Sequence, residues 1–142
     1  MKKILSIMIV VWGIAVLCTL FLSSCKRPEV LDNSTLVNSA RNVALTFGPA
    51  YVPFFKEANV SDVQVFKKKD YGGDSRPQIR KQIGRKFYTV TFTYDSTAVK
   101  FDFGFAARVR IWKDTGEPLD VIFGNGWGRN FFFLSFKEQT DH

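Results

Sequence analysis

The chain has 142 residues, which is enough for one domain with a sizeable core. It carries 20 basic and 13 acidic side chains, a net charge of +7, with two cysteines and one histidine, the last residue. This inventory excludes a disulfide framework, a thiolate or imidazole metal cluster in the domain, and catalysis by a Ser-His or Cys-His pair. We therefore expect no metal, no cofactor and no catalytic residues.

The first 24 residues have the composition of a secretory signal. Lys2 and Lys3 form a short basic region, residues 4–22 are mostly apolar, and small residues follow at 23–24. A run of 19 residues would also span a bilayer as a helix, at about 1.5 Å per residue against about 30 Å of hydrocarbon. Basic residues stand on both sides of the run, so the flanking charge does not decide between a cleaved signal and an anchor.

The residues at the end of this run resemble the lipobox of bacterial lipoproteins. In Leu22-Ser23-Ser24-Cys25 a branched aliphatic residue stands three places before the cysteine, with small residues between them. The resemblance implies cleavage before Cys25, a lipid on its sulfur and an acylated amine. It also explains why one cysteine, an odd number for an exported protein, is left in the mature chain. We predict a signal peptide over 1–24, a lipidated tether over 25–32 and a single domain over 33–142.

The residues after the cysteine bear on the location of the protein. By the same resemblance, Asp directly after the lipidated cysteine is typical of retention in the inner membrane. Lys26 stands there instead, so we expect the outer membrane. The surface-export signal of the Bacteroides group is matched poorly, because Arg27 and Pro28 precede Glu29. This favours the periplasmic side.

One helix is predicted at the start of the domain. Cap-type residues at 32–34 precede apolar residues at helical spacing, and Gly48-Pro49 ends the pattern. The apolar stripe consists of Leu36, Val37, Ala40, Val43, Ala44 and Phe47. A second short helical turn is expected within 51–58.

From Val63 onward the apolar period changes to two, which predicts strands. We place them at 63–65, 88–94, 99–111, 119–123 and 131–136. The third is the clearest, because its odd positions are apolar, and we expect Phe101, Phe103 and Phe105 to be buried together. Tight turns are expected at 95–97 and 113–118.

These elements predict an α+β fold, in which the N-terminal helix packs on a four- to five-stranded antiparallel meander sheet. The helix is the predicted cover for one face of the sheet. The layout is similar to that of cystatin-like and NTF2-like folds, where a helix lies in the curve of a bent sheet.

The positive charge is concentrated in residues 67–86, which hold eight basic and two acidic side chains. The basic residues are Lys67, Lys68, Lys69, Arg76, Arg80, Lys81, Arg85 and Lys86. Length, glycine and proline predict a mobile loop between two strands, with a helical turn that brings Ile79 and Ile83 together. The stretch is either a solvated loop or a site for anions: lipid headgroups, lipopolysaccharide phosphates or an acidic glycan. No nucleic acid is expected as a partner.

Two further sites are predicted on turns. The glycine-rich stretch 124–130 precedes a predicted strand, which argues against a phosphate loop. We interpret it as a loop that presents Trp127 with Arg129 beside it, since exposed Trp and Arg are favoured in interfaces. Asp95-Ser96-Thr97 resembles the O-glycosylation signal of Bacteroides-type periplasmic proteins, which makes Ser96 a candidate for modification.

Two groups of charged residues invite weaker interpretations. Arg108, Arg110 and Trp112 share the even face of the third strand. They are either a platform for a glycan or carboxylate, or the solvated side of a sheet. Asp114, Glu117 and Asp120 flank a turn and are expected to be solvated rather than a pair for acid–base catalysis.

The sequence therefore predicts an envelope lipoprotein, a non-enzymatic binding or accessory module on the periplasmic side of the outer membrane. Its expected partners are the membrane, through the lipid on Cys25, and an anionic lipid, lipopolysaccharide or envelope protein. One alternative is an inhibitor or immunity-type lipoprotein that blocks a partner enzyme. Another is an NTF2-like protein with a small-ligand pocket between helix and sheet. Exposed aromatic tips favour the first two, and a pocket lined by an acidic residue and Tyr or Trp favours the third.

Overall fold

Helix α1, Asn33–Phe47, begins where the sequence places its cap. The Asp32 carboxylate accepts a hydrogen bond from the backbone N–H of Thr35 at 2.7 Å, which lowers the pKa of Asp32. The helix belongs to a computed structural model that describes residues 31–71 and 76–132. The signal, the lipobox and residues 133–136 of the predicted fifth strand lie outside the described residues.

Gly48 ends the helix. Its N–H donates to the Ala44 carbonyl at 2.8 Å, and a Cβ at this position would overlap the Phe123 ring. The chain then forms a 3₁₀ helix over Pro49–Phe54, earlier than the turn predicted within 51–58. It ends early because Phe55 is already extended and stacks on Phe92, with the ring centres 4.2 Å apart.

Six antiparallel strands form one open sheet. They are β1 Ala58–Val60, β2 Gln64–Val65, β3 Lys86–Phe92, β4 Ala107–Trp112, β5 Pro118–Phe123 and β6 Gly128–Asn130. Strands β3 to β6 follow one another as a meander, and β1 and β2 both pair with β3. The predicted α+β fold, a helix on an antiparallel sheet, is confirmed.

The first core lies between α1 and one face of the sheet. The predicted apolar stripe of the helix packs there, with Leu36, Ala40, Val43 and Ala44 buried and Val37 and Phe47 partly buried. The facing residues of the sheet are Val90, Phe92, Ala107, Val109, Ile111, Val121 and Phe123. The central residues of β3 to β5 follow the predicted period of two, but Phe87, Trp112, Leu119 and Asp120 are buried out of period, because the other face of the sheet is partly covered.

The third predicted strand is too long. β4 begins only at Ala107, because the neighbouring strands end at the residues that pair with Ala107. These are Phe92, the last residue of β3, and Phe123, the last residue of β5. The preceding residues turn aside, and the N–H of Phe103 donates to the Gly124 carbonyl at 2.9 Å. Phe103 is therefore 46% exposed, whereas Phe105 is buried, and the expected joint burial of the three phenylalanines is wrong.

Other boundaries also differ from the prediction. Val63 lies between β1 and β2, and its side chain is exposed, as is that of Val65. The turn at 96–98 is part of a long connection between β3 and β4 rather than a tight hairpin. The last described strand, β6, begins at Gly128 rather than at 131. Over the two described ranges, no helix is long and apolar enough to cross a membrane.

Candidate functional site

The basic stretch covers part of the other face of the sheet. It contains a 3₁₀ helix over Lys68–Tyr71 and a short helix α2 over Pro77–Arg80. A second core fixes it to the sheet; its buried residues are Phe66, Ile79, Phe87, Trp112 and Leu119. The predicted loop is therefore, over its described residues, partly helical and anchored by apolar side chains.

The predicted pairing of Ile79 with Ile83 is wrong. The helical turn exists, but Ile79 is buried in the second core, whereas Ile83 lies beyond the end of α2 and is 44% exposed. Phe66, fully buried, is the partner that Ile79 has instead.

Arg85 holds the end of this stretch in place. Its Nη2 and Nε donate to the Asp114 carboxylate at 2.6 and 3.0 Å, and its guanidinium lies 4.0 Å from the centre of the Trp112 ring. The hydrogen bonds from Arg85 lower the pKa of Asp114. Its Nη1 also donates to Gln82 Oε1 at 2.5 Å, so Arg85, predicted as an anion-binding residue, has engaged all three of its guanidinium nitrogens within the protein.

The other basic residues of the stretch are exposed. Among the described residues, no acidic side chain lies within salt-bridge distance of Lys67, Lys68, Lys69, Arg80, Lys81 or Lys86. The nearby Asp70 carboxylate instead accepts the backbone N–H of Lys67 at 2.6 Å. We call these six residues, with the exposed Arg76, the basic surface.

Trp127 lies at the turn between β5 and β6. Its side chain is 48% exposed and stacks on Phe123, with the ring centres 5.4 Å apart. The Trp127 N–H donates to Asn125 Oδ1 at 3.1 Å, and Gly126 takes a φ of +84°, which favours glycine. Exposed Phe54 and Phe103 belong to the same end of the sheet, which we call the aromatic end.

Arg129 lies two residues after Trp127, in the edge strand β6. Its backbone pairs with Val121, and its guanidinium lies 5.2 Å from the centre of the Phe47 ring of α1. That Arg129 and Trp127 form one contact site stays a prediction.

The basic surface and the aromatic end are separate. Ala107, at one end of β4, pairs with Phe123 next to the aromatic end, while Trp112, at the other, contacts Arg85. Six residues of strand place them about 17 Å apart, at about 3.3 Å per residue. The two surfaces predicted from the sequence are therefore distinct patches at opposite ends of β4.

Polar side chains occupy the face of the sheet between these two ends. The register sets Thr89 beside Arg110 and Asp120, and Thr91 beside Arg108 and Ile122. We call these two rows of side chains the polar strip. An open groove of about 540 Å³ lies over the polar strip, and its lining residues are Ser61, Gln64, Asp70, Thr89, Thr91, Arg108, Arg110 and Ile122. Trp112 lies on this face as predicted, opposite Phe87, but the second core covers it, so it is buried rather than exposed.

Arg110 and Asp120 form an ion pair in the floor of the strip. Arg110 Nε donates to both carboxylate oxygens at 2.9 and 3.0 Å, and Nη2 donates to Oδ2. Burial lowers the pKa of Arg110, but the hydrogen bonds and charge of Asp120 more than offset this, so the pKa is raised. Asp120 is only 6% exposed, so its predicted place in a solvated hairpin is wrong: the β4–β5 register sets it against Arg110.

Ser96 is exposed in the turn at 96–98. The neighbouring Asp95 accepts from the hydroxyl and the N–H of Thr97 at 2.6 and 3.0 Å and from Lys56 Nζ at 2.9 Å, and these bonds lower its pKa. Glycosylation of Ser96 stays a prediction.

The part of the chain in 31–71 and 76–132 contains no group of three or more His, Cys, Asp or Glu side chains that could hold a metal ion. No family model matches the chain, and no curated protein or solved structure matches it either.

Proposed function

We propose that the protein is a lipid-tethered binding module of the bacterial envelope, without enzymatic activity, that docks on anionic headgroups through its basic surface. The observation that carries this proposal is the set of exposed basic side chains on a stretch fixed by Phe66 and Ile79. A basic residue near an anionic membrane contributes about 1 kcal/mol. Because Phe66 and Ile79 already hold the described part of the stretch on the sheet, docking does not have to fix those residues anew.

The length of the tether supports the same proposal. Residues 25–32 end at Asp32, the cap of α1. Eight residues reach at most about 29 Å, at about 3.6 Å each. A lipid on Cys25 would hold the domain within that distance of the bilayer, on the periplasmic side of the outer membrane.

The aromatic end favours a second candidate function, an inhibitor or immunity-type lipoprotein. Phe103 and Trp127 are exposed, but their backbone N–H groups are bonded to Gly124 and Asn125 of the turn between β5 and β6, and preorganised aromatic side chains are typical of interface hot spots. Crosslinking in the intact envelope separates the two candidates: a stoichiometric protein partner at Trp127 supports the second.

A pocket between helix and sheet has less support. The side chains of Leu36, Ala40, Val43 and Ala44 are 0–2% exposed and fill the space against the sheet. The open groove lies on the opposite face.

The charge of the basic surface is tested with vesicles. Replacing Lys67, Lys68, Lys69, Arg80 and Lys81 by Gln in the unlipidated mature chain will weaken binding to vesicles with 30% phosphatidylglycerol on the order of a thousandfold, at about 1 kcal/mol per charge. Wild-type binding will weaken as salt is raised, because the exposed charges are screened. Cosedimentation at several salt concentrations measures both effects.

The control changes the same charge elsewhere. One double variant, Arg80→Gln with Lys81→Gln, removes two charges from the basic surface. The control variant, Lys56→Gln with Lys100→Gln, removes two charges from residues outside it. We expect the first pair of substitutions to weaken binding on the order of tenfold or more and the second to have little effect. Equal losses from both pairs would refute docking through the basic surface.

A further inference from the structure

The polar strip has donors and acceptors that the protein itself does not use. Arg108 and Thr91 are direct cross-strand partners, and neither side chain makes a hydrogen bond within the described residues. The guanidinium of Arg108 lies 4.3 Å from the centre of the Phe105 ring, which supports one of its flat faces. An arginine fixed in this way keeps its N–H groups available to a ligand.

Arg110 adds a further donor to the same groove. Nε and Nη2 are bonded to Asp120, while Nη1 has no partner among the described residues. No buried side-chain nitrogen in the described residues lacks a hydrogen bond, so Nη1 reaches solvent. The ion pair with Asp120 therefore orients the guanidinium and leaves one edge accessible to the groove.

The groove extends beyond the strip on both sides. A hollow of about 350 Å³ adjoins it at Gln64 and Asp70 and is lined by Lys67 and Lys69. Another, of about 250 Å³, adjoins it at Arg110 and reaches Asn130 on β6. Together the three hollows are lined by five basic and two acidic residues, and of the basic ones Arg129 has its guanidinium against Phe47 of α1. They cross five strands, roughly 19 Å at about 4.8 Å per strand spacing.

The chemistry of this lining points to one class of ligand. The backbone groups of β3, β4 and β5 are paired within the sheet, so a ligand on this face is recognised by side chains. The Thr91 hydroxyl and the Gln64 amide N–H groups can serve sugar hydroxyls, whereas the Ser61 hydroxyl already bonds Asp62 and Thr89, and Gln64 Oε1 already accepts from Thr89. Guanidinium groups suit carboxylates and phosphates.

We propose that the polar strip binds a saccharide that carries carboxylate or phosphate groups. The site goes beyond docking through the basic surface and shares only Lys67 and Lys69 with it. The same chemistry occurs in a free acidic glycan and in a phosphorylated glycolipid, which the arms of the experiment distinguish.

The test compares two oligosaccharides of equal length, acidic oligogalacturonate and neutral maltooligosaccharide, by calorimetric titration of the unlipidated mature chain. We expect the acidic one to bind at least tenfold more tightly. Arg108→Gln will weaken its binding tenfold or more, and Thr91→Val two- to tenfold, as expected for a charged and a neutral hydrogen bond. Arg80→Gln with Lys81→Gln, which lies outside the groove, will change the affinity less than twofold.

A second arm places a phosphorylated glucosamine glycolipid in neutral vesicles. If the chain binds these vesicles, Thr91→Val weakens that binding and oligogalacturonate does not bind, the site is assigned to a membrane-bound sugar. If oligogalacturonate binds and the vesicles do not, the site is assigned to a free glycan. Equal affinity for the neutral oligosaccharide, equally tight binding of polyglutamate, or no binding in either arm would overturn the proposal. Loss of phosphatidylglycerol binding on Arg80→Gln with Lys81→Gln tests the basic surface separately, so either proposal can fail alone.

Discussion

Replacement of Asp120 by Asn will lower the free energy of unfolding by about 3 kcal/mol. Asp120 is 6% exposed and is the only acidic side chain bonded to Arg110 within the described residues. Its loss leaves a largely buried guanidinium without a counter-charge, and an uncompensated buried charge costs far more than the intact pair contributes. Urea denaturation of the mature chain, with the slope checked for two-state behaviour, measures the effect.

The control for this prediction is the second Arg–Asp pair. Asp114 pairs with Arg85 in the same bidentate manner, but its side chain is 56% exposed. Asp114→Asn will therefore cost less than about 1 kcal/mol. Replacing Arg110 and Asp120 together by Met and Leu will recover most of the loss, because no charge is then left unpaired. A similar cost for the two Asp→Asn variants would contradict the account of the buried pair.

Replacement of Phe66 by Ala will cost about 3–5 kcal/mol. Phe66 is fully buried at the centre of the second core, within 5.7 Å of Trp112 and 6.4 Å of Phe87 between ring centres. Its truncation leaves a cavity under the basic stretch. Denaturant unfolding measures the loss, and amide hydrogen exchange will show lower protection at Ile79 and Gly84.

Phe103→Ala is the matched control for this substitution. Phe103 is 46% exposed, so its truncation will cost less than about 1 kcal/mol. If Phe66→Ala were as mild as Phe103→Ala, the basic stretch would not be anchored as described. A large effect of Phe103→Ala would instead support the long third strand that alternation predicts.

The helix and the first core could be predicted because their patterns are local. The stripe of α1 and the alternation of Val90, Val109 and Val121 are visible in the sequence. The second core could not be predicted in this way, because Phe66 and Ile79 stand among charged residues without a period. Alternation also continued past the point where β3 and β5 stop pairing, which misplaced Phe103.

The candidate sites show the same limit. Charge counting found the basic surface, since exposed lysines need no partners to be recognised. It also included Arg85, whose contact with Asp114 depends on the pairing of distant segments. The sequence indicates that Arg110 and Asp120 lie on neighbouring strands, because a predicted hairpin turn separates them. It does not indicate that they pair, because the β4–β5 register shifts between Arg110 and Ile111.

The polar strip was visible only in part. The sequence pattern places Thr89, Thr91, Arg108 and Arg110 on one face of two strands. These side chains line a groove only because Asp70 and Tyr71 form a wall beside them. That wall is positioned by the second core, which no local pattern predicts.

The central claim, that a lipid on Cys25 holds this domain beside an anionic surface, is tested most directly by intact-mass spectrometry of the protein extracted from its own membranes. We predict a mature chain that begins at Cys25 and carries the mass of a diacylglyceryl group on sulfur and an acyl group on the amine. A chain that begins at Met1, or a mature chain with an unmodified Cys25, would contradict the claim.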